Sequence, residues 1–110
     1  MLETILQPDD TVERCGLVLK DGSIVEIKNI AEDPAVAYEM DPVELLPHVE
    51  ADNIEIMWHT HPISDPVLSG ADREGFLWWP DLVHCIIGRR DSRVAVERYR
   101  VEDGFVLACS

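Results

Sequence analysis

The chain has 110 residues, enough for one compact domain with a hydrophobic core and too few for two ordinary ones, so a single domain over 1–110 is expected. Its 22 acidic and 9 basic residues give a formal net charge of −13, a field that repels phosphate backbones and excludes nucleic acid as an expected partner. No run approaches the roughly 20 apolar residues that cross a bilayer, and MLETILQPDD has no basic region ahead of an apolar one, so a cytoplasmic protein with no membrane partner is expected.

Taken in chain order, the first regular elements are a hairpin. CGLVL (15–19) is an apolar run, Asp21-Gly22 is a turn signal, and SIVEIKNI (23–30) alternates with period two. Residues 31–34 read as a loop and AYEM (37–40) as a short strand. Asp41-Pro42 pairs an N-cap residue with proline at the first helical position, so a short helix follows over VELLPHV, its regularity limited by Pro47. NIEIMWH (53–59) has the β-branched and aromatic content of a strand and runs directly into Thr60-His61-Pro62. After the loop PISDPVL, Ser69 is placed to cap a helix over SGADREGFLWW. LVHCIIG (82–88) is a continuous apolar run, as a strand buried on both faces would be. RVAVERYRV and GFVLA, divided by Glu102-Asp103-Gly104, close the chain as a second hairpin. Strands interrupted by two helices give an α/β (α+β) class, a mixed β-sheet with flanking helices.

The residues that carry chemistry are His59-Thr60-His61-Pro62, Ser69 and Asp72. Histidines at i and i+2 of a strand point to one side, so their imidazoles can converge on one ion. A carboxylate returned by the following helix supplies a third ligand and leaves a fourth tetrahedral position for water, the layout of a catalytic rather than a structural zinc site. Two histidines so spaced also occur as mere decoration of a strand end, and the pair alone does not choose between these readings.

With its surroundings the pattern resembles the JAMM motif of the JAB1/MPN/Mov34 metalloenzymes: a distal Glu, then H-x-H-P, a Ser and an Asp. His59-Thr60-His61-Pro62 and Ser69-Gly70-Ala71-Asp72 fill every defined position, with ten residues between His61 and Asp72. Val12-Glu13-Arg14-Cys15-Gly16-Leu17-Val18-Leu19 resembles the segment that carries the distal Glu, and KNIAEDPAVAYEMDPVELL is similar to the short bacterial and phage branch. The resemblance runs from about residue 12 to about residue 88. It implies a cytidine-deaminase-like fold and zinc-dependent hydrolysis of a peptide or isopeptide bond in a bacterial cell or phage-infected host. His59, His61 and Asp72 would hold one Zn2+ per chain, Glu13 would be the general base without ligating the metal, and Ser69 would help hold the oxyanion. Nothing but this resemblance selects Glu13 among the acidic residues.

The resemblance also implies the partner: a protein or peptide substrate, either a ubiquitin-like protein tail or a phage tail protein. A non-catalytic MPN scaffold and a tail-assembly component working beside an NlpC/P60-type hydrolase are the rival readings. A nucleoside deaminase would need H-x-E with P-C-x-x-C, and a zincin H-E-x-x-H; the chain has neither. Trp58, Trp78 and Trp79 read as core or site-wall aromatics, and His84, inside an apolar strand, as a satisfied core histidine rather than a fourth ligand. Cys15, Cys85 and Cys109 form no C-x-x-C pair and read as three reduced thiols.

Overall fold

The computed structural model describes residues 2–109; the two ends of the expected 1–110 domain lie outside the described residues. After a 3₁₀ turn at Leu2–Thr4 come β1 (Cys15–Leu19), β2 (Ile24–Ile27), α1 (Pro42–Glu50), β3 (Ile54–Thr60), α2 (Gly70–Leu77), β4 (Val83–Arg90), β5 (Arg93–Glu102) and β6 (Phe105–Cys109). The strands form one mixed sheet in the order β2-β1-β3-β4-β5-β6, consistent with an α/β JAB-like fold. All neighbours are antiparallel except β3 and β4. A parallel pair cannot be closed by a tight turn, and α2 lies in the crossover that joins them.

The turns follow from backbone chemistry. Gly22 (φ 91°) and Gly104 (φ 80°) supply the left-handed conformation in the β1–β2 and β5–β6 turns. Asp91 and Ser92 adopt it at the β4–β5 turn, with φ of 52° and 64°. Asp41 caps α1 by accepting from the Val43 N–H at 2.9 Å, and the helix runs through Pro47 to Glu50. None of its residues is fully buried.

Register divides the sheet into two faces. Leu17, Met57, His84 and Tyr99 are successive cross-strand partners on one face, and both helices lie over that face. Phe76 of α2 packs with Ile86 and Tyr99, and Leu45 and Val49 of α1 pack on the cluster of Leu17 and Met57. Gly16, Trp58 and Cys85 are the corresponding row on the other face. There Trp58, Val18, Ile56, Cys85 and Ile87 are covered by Leu2 and Leu6. A Cβ on Gly16 would lie 2.4 Å from the Trp58 ring, so glycine is what lets the indole lie flat on β1 while its Nε1 donates to the Leu17 carbonyl at 3.2 Å.

One expectation is corrected. AYEM is not a strand: only Met40 forms an isolated bridge, with Asn29, because the Asn29 carboxamide itself takes the Ala37 carbonyl and the Glu39 N–H. The tryptophans divide between the two roles expected of them: Trp58 is 1% exposed in the core, and Trp78, the C-cap residue of α2, is 81% exposed in the wall of a cleft.

Candidate metal centre

The two histidines sit where β3 ends, at the carboxyl end of the parallel pair, where open α/β sheets place their ligands. His59 is the penultimate strand residue, opposite Cys15 on one side and Ile86 on the other. Thr60 is buried between them: its N–H donates to the Arg14 carbonyl and its Oγ1 accepts from the Arg14 N–H, both at 2.8 Å. That clasp on Arg14 sets its neighbour Glu13 beside the histidines. His61 continues past the strand, held by its N–H to the Ile87 carbonyl at 2.7 Å and by Nδ1 against the Asp65 carbonyl at 2.9 Å, which leaves Nε2 facing inward.

Asp72 arrives from α2. Ser69 and Asp72 form a capping box: Ser69 Oγ accepts from the Asp72 N–H at 3.0 Å, and an Asp72 carboxylate oxygen accepts from the Ser69 N–H at 3.2 Å. This fixes the carboxylate with Oδ1 3.1 Å from His59 Nε2 and Oδ2 3.3 Å from His61 Nε2. Glu13, His59 and His61 offer ligand atoms that all lie within 4.8 Å of one another, the one such group of three or more among the described residues. All five residues expected at the site are thus at one place, and Glu13, His59 and Asp72 are buried there.

The electrostatics fit a cation. Buried His59 Nε2 has no hydrogen-bond partner, although Asp72 Oδ1 is within 3.1 Å, so the two atoms are close without being aligned as donor and acceptor. Burial lowers the His59 pKa. Burial would raise Asp72, but the two imidazoles outweigh it and hold the carboxyl well below the usual range. Burial would likewise lower His61, and its contacts with Asp72 and the Asp65 carbonyl turn the shift upward. Burial pushes the Glu13 carboxyl up to about 7 against the opposing pull of His61. Two imidazoles and two carboxylates packed into one buried place carry a desolvation cost that a divalent ion would offset, and the donor set suits zinc.

The centre opens into a cleft of about 610 Å³, whose apolar lining includes Met40, Leu45, Met57 and Trp79, all of one hydrophobic cluster. His84 reaches it only from below: the side chain is 1% exposed, stacks on Phe76 at 4.3 Å, and places Nε2 2.9 Å from the Trp79 carbonyl, so it is the satisfied core histidine expected.

Three supporting features escaped the sequence reading. Tyr38 stacks on the His59 ring at 4.2 Å with an interplanar angle of 21°. Asn29 bonds to the backbone of both Glu13 and the Tyr38 segment. Gly88 lets the loop after His61 cross directly over β4: a Cβ there would stand 2.5 Å from the Ser64 carbonyl oxygen and 2.6 Å from the Pro66 nitrogen. Arg89 and Tyr99 complete that seat, donating to the Pro62 and Pro66 carbonyls at 2.9 and 3.1 Å. Only Gly88 left a trace in the sequence, as the glycine ending an apolar run.

A Haloferax volcanii protein named Desampylase is 37% identical to this chain, over 71% of the chain and 63% of that protein. This match supports a relationship to the JAMM/MPN family. A second protein of that name, from Pyrococcus furiosus, is 33% identical over 64% of the chain and 56% of its own length, so the chain spans roughly three fifths of these relatives. A Desulfitobacterium hafniense protein of known solution structure shares the fold with a TM-score of 0.73 at 20% identity, over 97% of this chain and 82% of its own. A Salinibacter ruber protein aligns with a TM-score of 0.53 at 18% identity, over 94% and 76%. No protein-family model matches the chain.

Proposed function

We propose that this chain is a single-domain, zinc-dependent isopeptidase or peptidase of the short prokaryotic JAB type, holding one zinc per chain and acting on the tail of a ubiquitin-like or other protein. The observation that carries the proposal is the convergence of Glu13, His59, His61 and Asp72, in which a buried imidazole nitrogen has no hydrogen-bond partner. The desampylase relatives support the substrate class by their name. They favour this reading over a tail-assembly role.

In the proposed chemistry His59, His61 and Asp72 hold the ion. Zinc, when bound, supplies a Lewis acid and brings the pKa of a water towards roughly 7. Glu13, beside the histidines and not ligating the ion, would act as the general base: it takes the proton from the attacking water and returns it to the leaving amine. Ser69 Oγ is engaged as acceptor by the Asp72 N–H, so its own proton remains available for donation to the oxyanion. The apolar lining of the cleft would exclude water from a bound substrate segment.

The test is hydrolysis by zinc-loaded chain of an isopeptide-linked ubiquitin-like substrate and of a peptide panel. The proposal expects cleavage that is abolished in Glu13→Ala, with zinc content retained. Zinc binding without cleavage of any substrate would instead favour a non-catalytic scaffold, and undiminished cleavage by Glu13→Ala would remove Glu13 from its role.

A further inference from the structure

Asn29 lies just beyond β2, outside the metal centre, yet its carboxamide uses its full hydrogen-bonding capacity on backbone that the centre depends on. Nδ2 donates to the Glu13 carbonyl at 2.8 Å and to the Ala37 carbonyl at 3.1 Å. Oδ1 accepts from the Ala31 and Glu39 N–H groups, each at 3.0 Å. Two of the four bonds therefore flank Tyr38, and one holds Glu13. Around this point the backbone adds Glu13 N–H to the Pro34 carbonyl at 2.7 Å and Ile30 N–H to the Glu39 carbonyl at 2.8 Å.

We infer that Asn29 is a positioning residue that sets two groups of the metal centre in one operation: the Glu13 main chain, and the Tyr38 ring that lies flat on His59. The reason for a separate brace is local. Residues 31–39 have no ladder of their own, so nothing periodic fixes Tyr38, and a ring stacked at 4.2 Å needs its backbone held to a fraction of an ångström. The stack, in turn, restrains the His59 imidazole on one face. The inference rests on the proposed function only where it concerns metal, and its test begins without metal.

The variant is Asn29→Asp, which keeps the shape and the two acceptor bonds but sets a carboxylate oxygen against the Glu13 and Ala37 carbonyls. In the metal-free chain the His59 ring protons should be shifted upfield in the NMR spectrum by the Tyr38 ring, and those of His84 by Phe76, given the stacking of each pair. In Asn29→Asp the His59 shift should be lost while the His84 shift remains, a selective loss that general destabilisation would not produce. Zinc or cobalt affinity should fall about 10–100-fold, the range found when the support of a metal ligand is removed. A second pair keeps the test decisive should Asn29→Asp fail to fold. Tyr38→Phe retains the ring, so it should keep both the His59 shift and the metal affinity, and Tyr38→Leu should lose both. An unchanged His59 spectrum in Asn29→Asp, or metal affinity in Tyr38→Leu equal to wild type, overturns the inference. A wild-type chain that shows the His59 shift yet binds no metal defeats the proposed function and leaves the positioning role standing.

Discussion

Gly88→Ala is a one-carbon change at a site with no room for it. The new Cβ would meet the Ser64 oxygen at 2.5 Å, the Pro66 nitrogen at 2.6 Å and the Asp65 carbonyl carbon at 2.9 Å, all main-chain atoms that cannot rotate away. Restoring ordinary contact requires the 64–66 loop to lift by about 1 Å, and overpacking of this kind costs about 1–3 kcal/mol. The same movement stretches Arg89 N–H to the Ser64 carbonyl (2.8 Å) and Tyr99 Oη–H to the Pro66 carbonyl (3.1 Å), at about 0.5–1.5 kcal/mol each. A total of about 2–6 kcal/mol corresponds to a loss of roughly 8–25 °C in Tm for a domain of this size. Because the loop also carries the Asp65 carbonyl that fixes His61 Nδ1, zinc affinity should fall about tenfold or more. Thermal unfolding followed by circular dichroism, with chelator competition for the metal, reads both effects. A Gly88→Ala chain melting within about 2 °C of wild type, with the same zinc affinity, would refute the reasoning that this glycine seats the His61 loop.

Two further outcomes follow from burial. Cys15 and Cys85 are buried, and their thiols are pushed by that burial up to about 12 and about 11, so at pH 8 a thiol reagent should label half-buried Cys109 in the folded chain and the other two only on unfolding. Mass spectrometry of the labelled protein counts the sites. In the metal-free chain, burial raises Glu13 from 4.5 to about 7, so the folded state binds the proton more tightly than the unfolded one. The stability this gives is fully present below pH 4.5 and is lost as pH rises through 7. Glu13→Gln escapes that loss, and its stability relative to wild type should grow by about 1–2 kcal/mol across the same window once solvent screening is allowed for; denaturant titrations at pH 4 and pH 8 should show it.

Much of the fold was legible because its signals are local. Asp21-Gly22 and Asp103-Gly104 announced their hairpins, Asp41-Pro42 and Ser69 their helix starts, and the apolar run around Cys85 the strand buried on both faces. Leu2 and Leu6 were not legible as a core layer, since a three-residue 3₁₀ turn has no period to detect and its burial depends on a sheet face built from distant strands. At the site, His59 and His61 announced themselves by their i, i+2 spacing on a strand, and Asp72 by its place on the helix that follows them, three residues after Ser69. Glu13 could be chosen only through resemblance, because its nearness to the histidines comes from β1–β3 pairing and the Thr60–Arg14 clasp, which no spacing along the chain encodes. Asn29 and Tyr38 were invisible for the same reason: an amide that holds irregular backbone looks like any loop asparagine until the segment it ties is in view.

The central claim is that two imidazoles and a carboxylate, with Glu13 beside them, form a site for one divalent ion. Zinc titration of the metal-free chain, read by calorimetry and by native mass spectrometry, tests it most directly. The account predicts one zinc per wild-type chain, its loss in His59→Ala and in Asp72→Ala, and its retention in Glu13→Gln. A wild-type chain that takes up no zinc, or a His59→Ala chain that binds it as tightly as wild type, would contradict the account.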